Sequence, residues 1–211
     1  YLLSVLGVIY ASLSAIRQTD LKRIIAYSSV AHMNLVTLGI FSFNTIGLEG
    51  AILQSISHGF VASALFIIIG IVYERYHTRM VKYYGGLVHI MPIYSIIFLL
   101  FTMANIGLPG TGSFVGEFLI LTGSFTTNTS ITVISASGMV LGGCYSLWLF
   151  NRIIYGNLKT QYILVFNDIN KREFLIMLPL IIGTLVMGIY PKIFLTPIHM
   201  SVNMLLEQLY R

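Results

Sequence analysis

Three ionisable side chains interrupt the apolar runs of this chain: His32 in "YSSVAHMNL", His58 in "ILQSISHGF" and Glu117 in "FVGEFLI". Imidazoles exchange protons near neutral pH, and a desolvated carboxyl moves toward the same range. A His, His, Glu set on three different segments is therefore the composition of a proton relay. Each member has polar company at helical spacing. Ser28 and Ser29 stand four and three residues before His32, and Gln54 and Ser55 stand likewise before His58. Ser113 stands four before Glu117, placed to hydrogen-bond its carboxyl. A membrane histidine also serves as a plain interhelical hydrogen bond, so either imidazole alone admits a packing reading. A carboxylate has no comparable packing use.

Glu117 follows the stretch "NIGLPGTGSFVGEF", residues 105–118, which carries Gly107, Pro109, Gly110 and Gly112 within an apolar segment. From Pro92 to Phe125 the apolar run is longer than the roughly 20 residues of one straight crossing. Proline and glycine at its centre predict two half-helices joined by a non-helical link. Broken helices at mid-membrane recur in ion-coupled transporters; a proline kink for packing is the plain alternative. Break and carboxylate together predict a proton stop that can be hydrated and isolated in turn.

Composition supplies the setting. Of 211 residues 56% are hydrophobic and 9% charged, against roughly 25% charged in soluble domains. Such a chain cannot cover a soluble globule and reads as an all-α integral membrane protein. Absence of strand alternation with aromatic girdles argues against a β-barrel. Six spans are predicted, at about 1–16, 24–41, 51–72, 92–125, 131–150 and 174–190. They form a transmembrane region over 1–190, followed by a C-terminal segment, 191–211. There Thr196 and Pro197 look like a helix start, and Ile198, Val202, Leu205, Leu206 and Leu209 recur at helical spacing. An amphipathic helix in the membrane interface fits, as does a terminal helix packed on protein. The first apolar run is short for a span and has no preceding Met, so the chain is expected to begin partway through a helix of a processed, split or truncated product.

Of the twelve Lys and Arg residues, ten fall on loops 17–23, 73–91 and 151–173, while loops 42–50 and 126–130 carry none. That alternation is the positive-inside pattern and predicts the C-terminus on the outer side. The +5 net charge is spread over these loops without aromatic interleaving, which excludes a nucleic-acid surface. His77, His89 and His199 fall in or beside loops and read as surface residues. The single cysteine, Cys144, excludes a disulfide framework and reads as a buried packing residue. No spacing fits a metal site, and neither a dinucleotide fingerprint nor a phosphate loop occurs, "GLPGTGSF" lacking the lysine and the strand–loop–helix setting.

"QTDLKRIIAYSSVAHM", "SISHGFVASALF", "YERYHTR" and "NIGLPGTGSFVGEF" resemble the signature blocks of the subunit 4 family of respiratory complex I, the proton-translocating NADH:ubiquinone oxidoreductase. The ending "INKREFLIMLPLIIGTLVMGIYPKIF" resembles mitochondrial, especially plant-type, members. The resemblance extends over essentially the whole chain. It implies an antiporter-like membrane-arm subunit of about fourteen helices, built on two inverted five-helix repeats. This chain would be similar to its second repeat plus the final helix, helices 9 to 14.

In that family the break carries the terminal glutamate of a proton channel, a place Glu117 occupies, and His32 and His58 match intramembrane histidines linking it to a central lysine. The family's remaining carboxylate and lysines belong to the first half, which this sequence does not contain. The resemblance also implies a multi-pass protein of the mitochondrial inner membrane with no cofactor in this chain. NADH, FMN, iron–sulfur clusters and ubiquinone would belong to partner subunits. Partners would be the other membrane-arm subunits, including the first half of subunit 4 if it is encoded separately and the neighbouring antiporter-like subunits, together with membrane lipid. Two alternatives remain open: a subunit of a multisubunit cation/proton antiporter without redox activity, and a structural half-subunit that transports nothing.

Overall fold

The computed structural model describes residues 1–162 and 167–209. Residues 163–166 of the last basic loop and 210–211 of the C-terminal segment lie outside the described residues. The fold is all-helical: α1 (Leu2–Arg17), α2 (Leu21–Ile40), α3 (Thr45–Tyr76), α4 (Pro92–Ile106), α5 (Gly112–Thr127), α6 (Thr129–Ile154), α7 (Lys171–Ile189) and α8 (Lys192–Leu209). α3, α6 and α7 are each long and apolar enough to cross a membrane. The apolar run 92–125 is broken, α4 ending at Ile106 and α5 beginning at Gly112.

Gly107 closes α4 with φ +85°, and its N–H and that of Leu108 return to the carbonyls of Ala104 and Met103. Left-handed backbone at that position favours glycine, the residue with no Cβ penalty. The link then turns through Gly110 (φ +100°), where the Thr111 N–H and hydroxyl both donate to the Leu108 carbonyl. α7 covers this link so closely that a Cβ on Gly188 would lie 2.2 Å from the Gly110 oxygen. The Gly110 carbonyl of the unwound link is thus received by protein, while the tip around it is exposed.

α3 is the central helix, packed against α2, α4, α5, α7 and α8. Its contact with α5 runs along a seam of small residues. A Cβ on Gly116 would lie 2.8 Å from Cα of Gln54, and one on Gly123 would lie 2.6 Å from Cα of Gly47. Small residues let membrane helices approach at backbone distance, where dispersion replaces the missing hydrophobic drive. Asn44 secures one end of this seam: its Oδ1 accepts from Gly47 N–H while its Nδ2 donates to the Gly123 carbonyl.

The loops that carry the basic residues meet at one end of the bundle. Leu21 N–H donates to the Arg79 carbonyl at 2.9 Å, Gly86 N–H to that of Tyr155 at 3.1 Å, and the Lys159 ammonium to that of Lys82. Arg75 binds the Asp168 carbonyl and the Glu173 carboxylate there, at 2.9 and 2.8 Å. The Asp168 carboxylate in turn accepts from the N–H groups of Ile93 and Tyr94, capping α4 across the chain. Burial pushes the Tyr84 phenol at this end above its ordinary pKa. The opposite end holds the loops without Lys or Arg.

Two expectations are corrected. Thr196 does not begin a helix: α8 starts at Lys192, Pro197 lies inside it, and the Thr196 hydroxyl donates back to the Lys192 carbonyl. Pro197 is the sixth residue of α8, so the Ile193 carbonyl lacks its usual N–H donor there, and the helix runs through that single lost bond instead of starting at the Thr-Pro pair. α8 lies on α3, with Val202 and Leu206 buried and Glu49 bonded to His199, whose other ring nitrogen meets Asn203. Cys144 is exposed, not buried. α6 packs through Ser135, Gly138, Gly142, Tyr145 and Leu149, and Cys144 falls on its other side.

Candidate functional site

Glu117 is 2% exposed, on the α5 face that meets α2 and α3. Its Oε1 lies 2.8 Å from Nδ1 of His32 on α2 and accepts a hydrogen bond from Nε2 of Gln54 on α3 at 3.1 Å. Its other oxygen faces the break: Oε2 is 3.1 Å from where a Cβ on Gly107 would be. The His58 ring lies against that of His32, centroids 5.1 Å apart. Three helices thus bring both histidines and the glutamate into one buried cluster. The small-residue seam makes this possible, since Gly116 lets the Gln54 backbone come close enough for its amide to reach Glu117.

The supporting residues divide. Gln54 touches the carboxylate. Ser113 does not: its hydroxyl pairs with that of Ser57 at 3.1 Å, because the close approach of α3 offers a nearer partner than the next turn of α5. Ser28 is buried and donates to the Ile25 carbonyl, while the Ser29 oxygen is buried without a partner among the described residues. Ser55 stands apart, half-buried, its hydroxyl on the Ile52 carbonyl. Of the break residues, Gly107 and Gly112 border the site, Gly112 packing on Ser57 and Met187, whereas Pro109 and Gly110 form the exposed tip of the link.

Sequence reasoning missed three residues. Ser57 follows Gln54 by three and so shares its face, a signal present in "QSIS". Asn105 and Tyr145 are buried, and the Tyr145 phenol stands within electrostatic reach of Glu117, beside Asn105 and Ser28. Asn105 opens the break motif itself, but nothing local in "GGCYSL" marks Tyr145. Among the described residues the buried side-chain atoms without a protein partner are Ser29 Oγ, His32 Nε2, Gln54 Oε1, His58 Nε2, Asn105 Oδ1 and Tyr145 OH. All but Ser29 Oγ belong to residues in or beside the Glu117 cluster rather than scattered through the bundle. Buried polar groups are ordinarily satisfied, so this concentration marks a polar interior suited to water.

Residues 1–142 match the family described as NADH:quinone oxidoreductase/Mrp antiporter, TM. The chain is 58% identical to NADH-ubiquinone oxidoreductase chain 4 of Marchantia polymorpha over 98% of its own length, and spans 42% of that relative. Among solved structures it superposes with a TM-score of 0.87 on part of respiratory complex I from Thermus thermophilus, at 27% identity, covering 96% of this chain and 43% of that one. A chain of the Mrp complex from Dietzia sp. shares the fold at a TM-score of 0.85 and 18% identity, with 94% of this chain and 45% of that one covered. A sequence match over two thirds of the chain, together with the shared fold, places this multi-pass membrane chain in the NADH:quinone oxidoreductase/Mrp antiporter transmembrane family.

Proposed function

We propose that this chain forms the outer half of a proton channel in the membrane arm of a mitochondrial NADH:ubiquinone oxidoreductase, respiratory complex I. It would sit in the inner membrane and be driven by quinone reduction elsewhere in the assembly. NADH, FMN, the iron–sulfur clusters and ubiquinone belong to partner subunits in this reading. The first half of the antiporter-like subunit and its neighbours complete the path. The observation that carries it is the buried contact of His32 with Glu117, with the His58 ring tilted against that of His32.

The geometry supports a directional handover. With Glu117 ionised, Nδ1–H of His32 and the Gln54 amide both donate to Oε1, stabilising the carboxylate without neutralising it. A proton arriving at Nε2 of His32, the nitrogen free of protein partners, lets the Nδ1 proton pass to Glu117. The His58 imidazole is placed to deliver it directly or through water. Oε2 is the release side, toward Gly107 and the break. Tyr145 and Asn105 supply polar groups there for a short hydrated path.

Glu117→Gln in the assembled complex keeps shape and hydrogen bonding but cannot carry the charge. NADH:ubiquinone activity and proton uptake should both fall while assembly persists, and Glu117→Asp should retain part of each. Normal values for both in Glu117→Gln would remove Glu117 from the path. An antiporter without redox activity would instead co-purify without NADH oxidation.

A further inference from the structure

At the basic end, a groove of about 440 Å³ opens on the surface between the start of α2 and the last turns of α3. Its wall is Phe66, Ile69, Gly70 and Tyr73, and its mouth carries Lys22 and Arg79. We propose that this groove is a binding site for an anionic phospholipid, its headgroup phosphate held by Lys22 and Arg79 and one acyl chain lying along Phe66 to Gly70.

The two cations are held in place rather than left on loose loops. Residues 19–21 and 79–81 form a short antiparallel bridge: Leu21 N–H donates to the Arg79 carbonyl at 2.9 Å and Val81 N–H to that of Thr19 at 3.0 Å. The Arg79 guanidinium is fixed further by lying 4.4 Å from the centroid of the Tyr73 ring. Neither Lys22 nor Arg79 has a carboxylate partner among the described residues, and Asp20, on the same loop, is 3.7 Å from Arg23 instead. Paired cations without counterions attract an anion, and an arginine fork suits phosphate oxygens.

The rest of the groove is the wrong surface for a water-soluble anion. Below the cations its wall is aromatic and aliphatic, and a Cβ on Gly70 would meet no atom within 4 Å. Glycine thus leaves the space open toward lipid without serving any packed neighbour. Charge at the mouth and apolar wall below match the two halves of a phospholipid, and basic residues beside membrane helices on the positive side recognise anionic headgroups. The site lies about three to five turns along α3 from Gln54 and does not rest on the proposed proton path.

The assembled complex, reconstituted in phosphatidylcholine nanodiscs, would receive a trace of phosphatidylglycerol bearing a photoreactive acyl chain, or the phosphatidylcholine counterpart. Labelled peptides are then read by mass spectrometry. The 66–73 segment should be labelled more by the anionic lipid, by roughly thirtyfold if both charges contribute fully. The exposed face of α6 at Val133 and Val140 should show no such preference. Millimolar inorganic phosphate should not compete. Lys22→Gln with Arg79→Gln should abolish the preference. Should that pair fail to assemble, Gly70→Leu fills the groove and should reduce labelling of 66–73 relative to α6. Equal labelling by both lipids, labelling by neither, competition by phosphate, or a preference surviving Gly70→Leu would each overturn the proposal.

Discussion

Gly107 and Glu117 face each other across the helix break, so that a Cβ on the glycine would sit 3.1 Å from Oε2 of the carboxylate. The glycine therefore does two things: it adopts the left-handed backbone that ends α4, and it leaves Oε2 of Glu117 uncrowded. Gly107→Ala should cost about 1–2 kcal/mol for the backbone alone and crowd Oε2. The expected result is assembled complex with a lower melting temperature and reduced proton uptake. Gly110→Ala, at a tip with no neighbour to crowd, should show the stability loss without the transport loss.

His32 touches the carboxylate and His58 does not, so the two histidines should differ in consequence. His32→Leu removes a hydrogen bond to a charged group and should lower coupled turnover by roughly tenfold or more. His32→Gln should restore part of it by keeping a donor. His58→Leu should lower turnover less, since a water can replace a ring that meets only the other imidazole. The measurement is NADH:ubiquinone activity with proton uptake in the same membranes; wild-type values for both leucine variants would return the histidines to a packing role.

Arg75 ties α3 to the start of α7, and its side chain is only 10% exposed. Removing one partner of this part-buried ion pair leaves the other charge unpaired, at a cost below the roughly 3–5 kcal/mol of a fully buried pair. Arg75→Met should therefore lower the melting temperature of the assembled complex markedly. Pairing it with Glu173→Leu should recover much of that loss, although Asn170 then loses its capping partner. A double variant no more stable than Arg75→Met would refute this account of the clamp.

Orientation in the membrane is testable at loop 42–50, which lacks Lys and Arg. A cysteine placed at exposed Phe43, in a background with Cys144 replaced by Ser, should react with an impermeant maleimide from the outer side of the membrane. A cysteine at exposed Asn157 should react from the matrix side. Reaction of both from one side would contradict the positive-inside assignment.

The membrane setting, the all-helical class, the broken helix and the identity of the three ionisable residues were legible in the residues alone. Each follows from something local or compositional: hydrocarbon penalises charge and unpaired backbone, so Glu117, His32, His58 and the glycine-proline break stand out wherever the helices go. Which neighbours reach them depended on how the helices pack. Helical spacing put Ser28, Ser29, Gln54, Ser55 and Ser113 on plausible faces, but a serine hydroxyl can always satisfy itself on its own helix, as Ser28 and Ser55 do. Ser113 turned to Ser57 because small residues bring α3 and α5 together there. Tyr145 entered the site from α6, about thirty residues beyond the motif, and Cys144 beside it faced outward, since an apolar run shows no preferred side. The seam of Gly47, Gly50, Gly116 and Gly123 explains why: in a bilayer, helices choose their partners by how closely their backbones fit, and that fit belongs to pairs of helices rather than to any one stretch of chain.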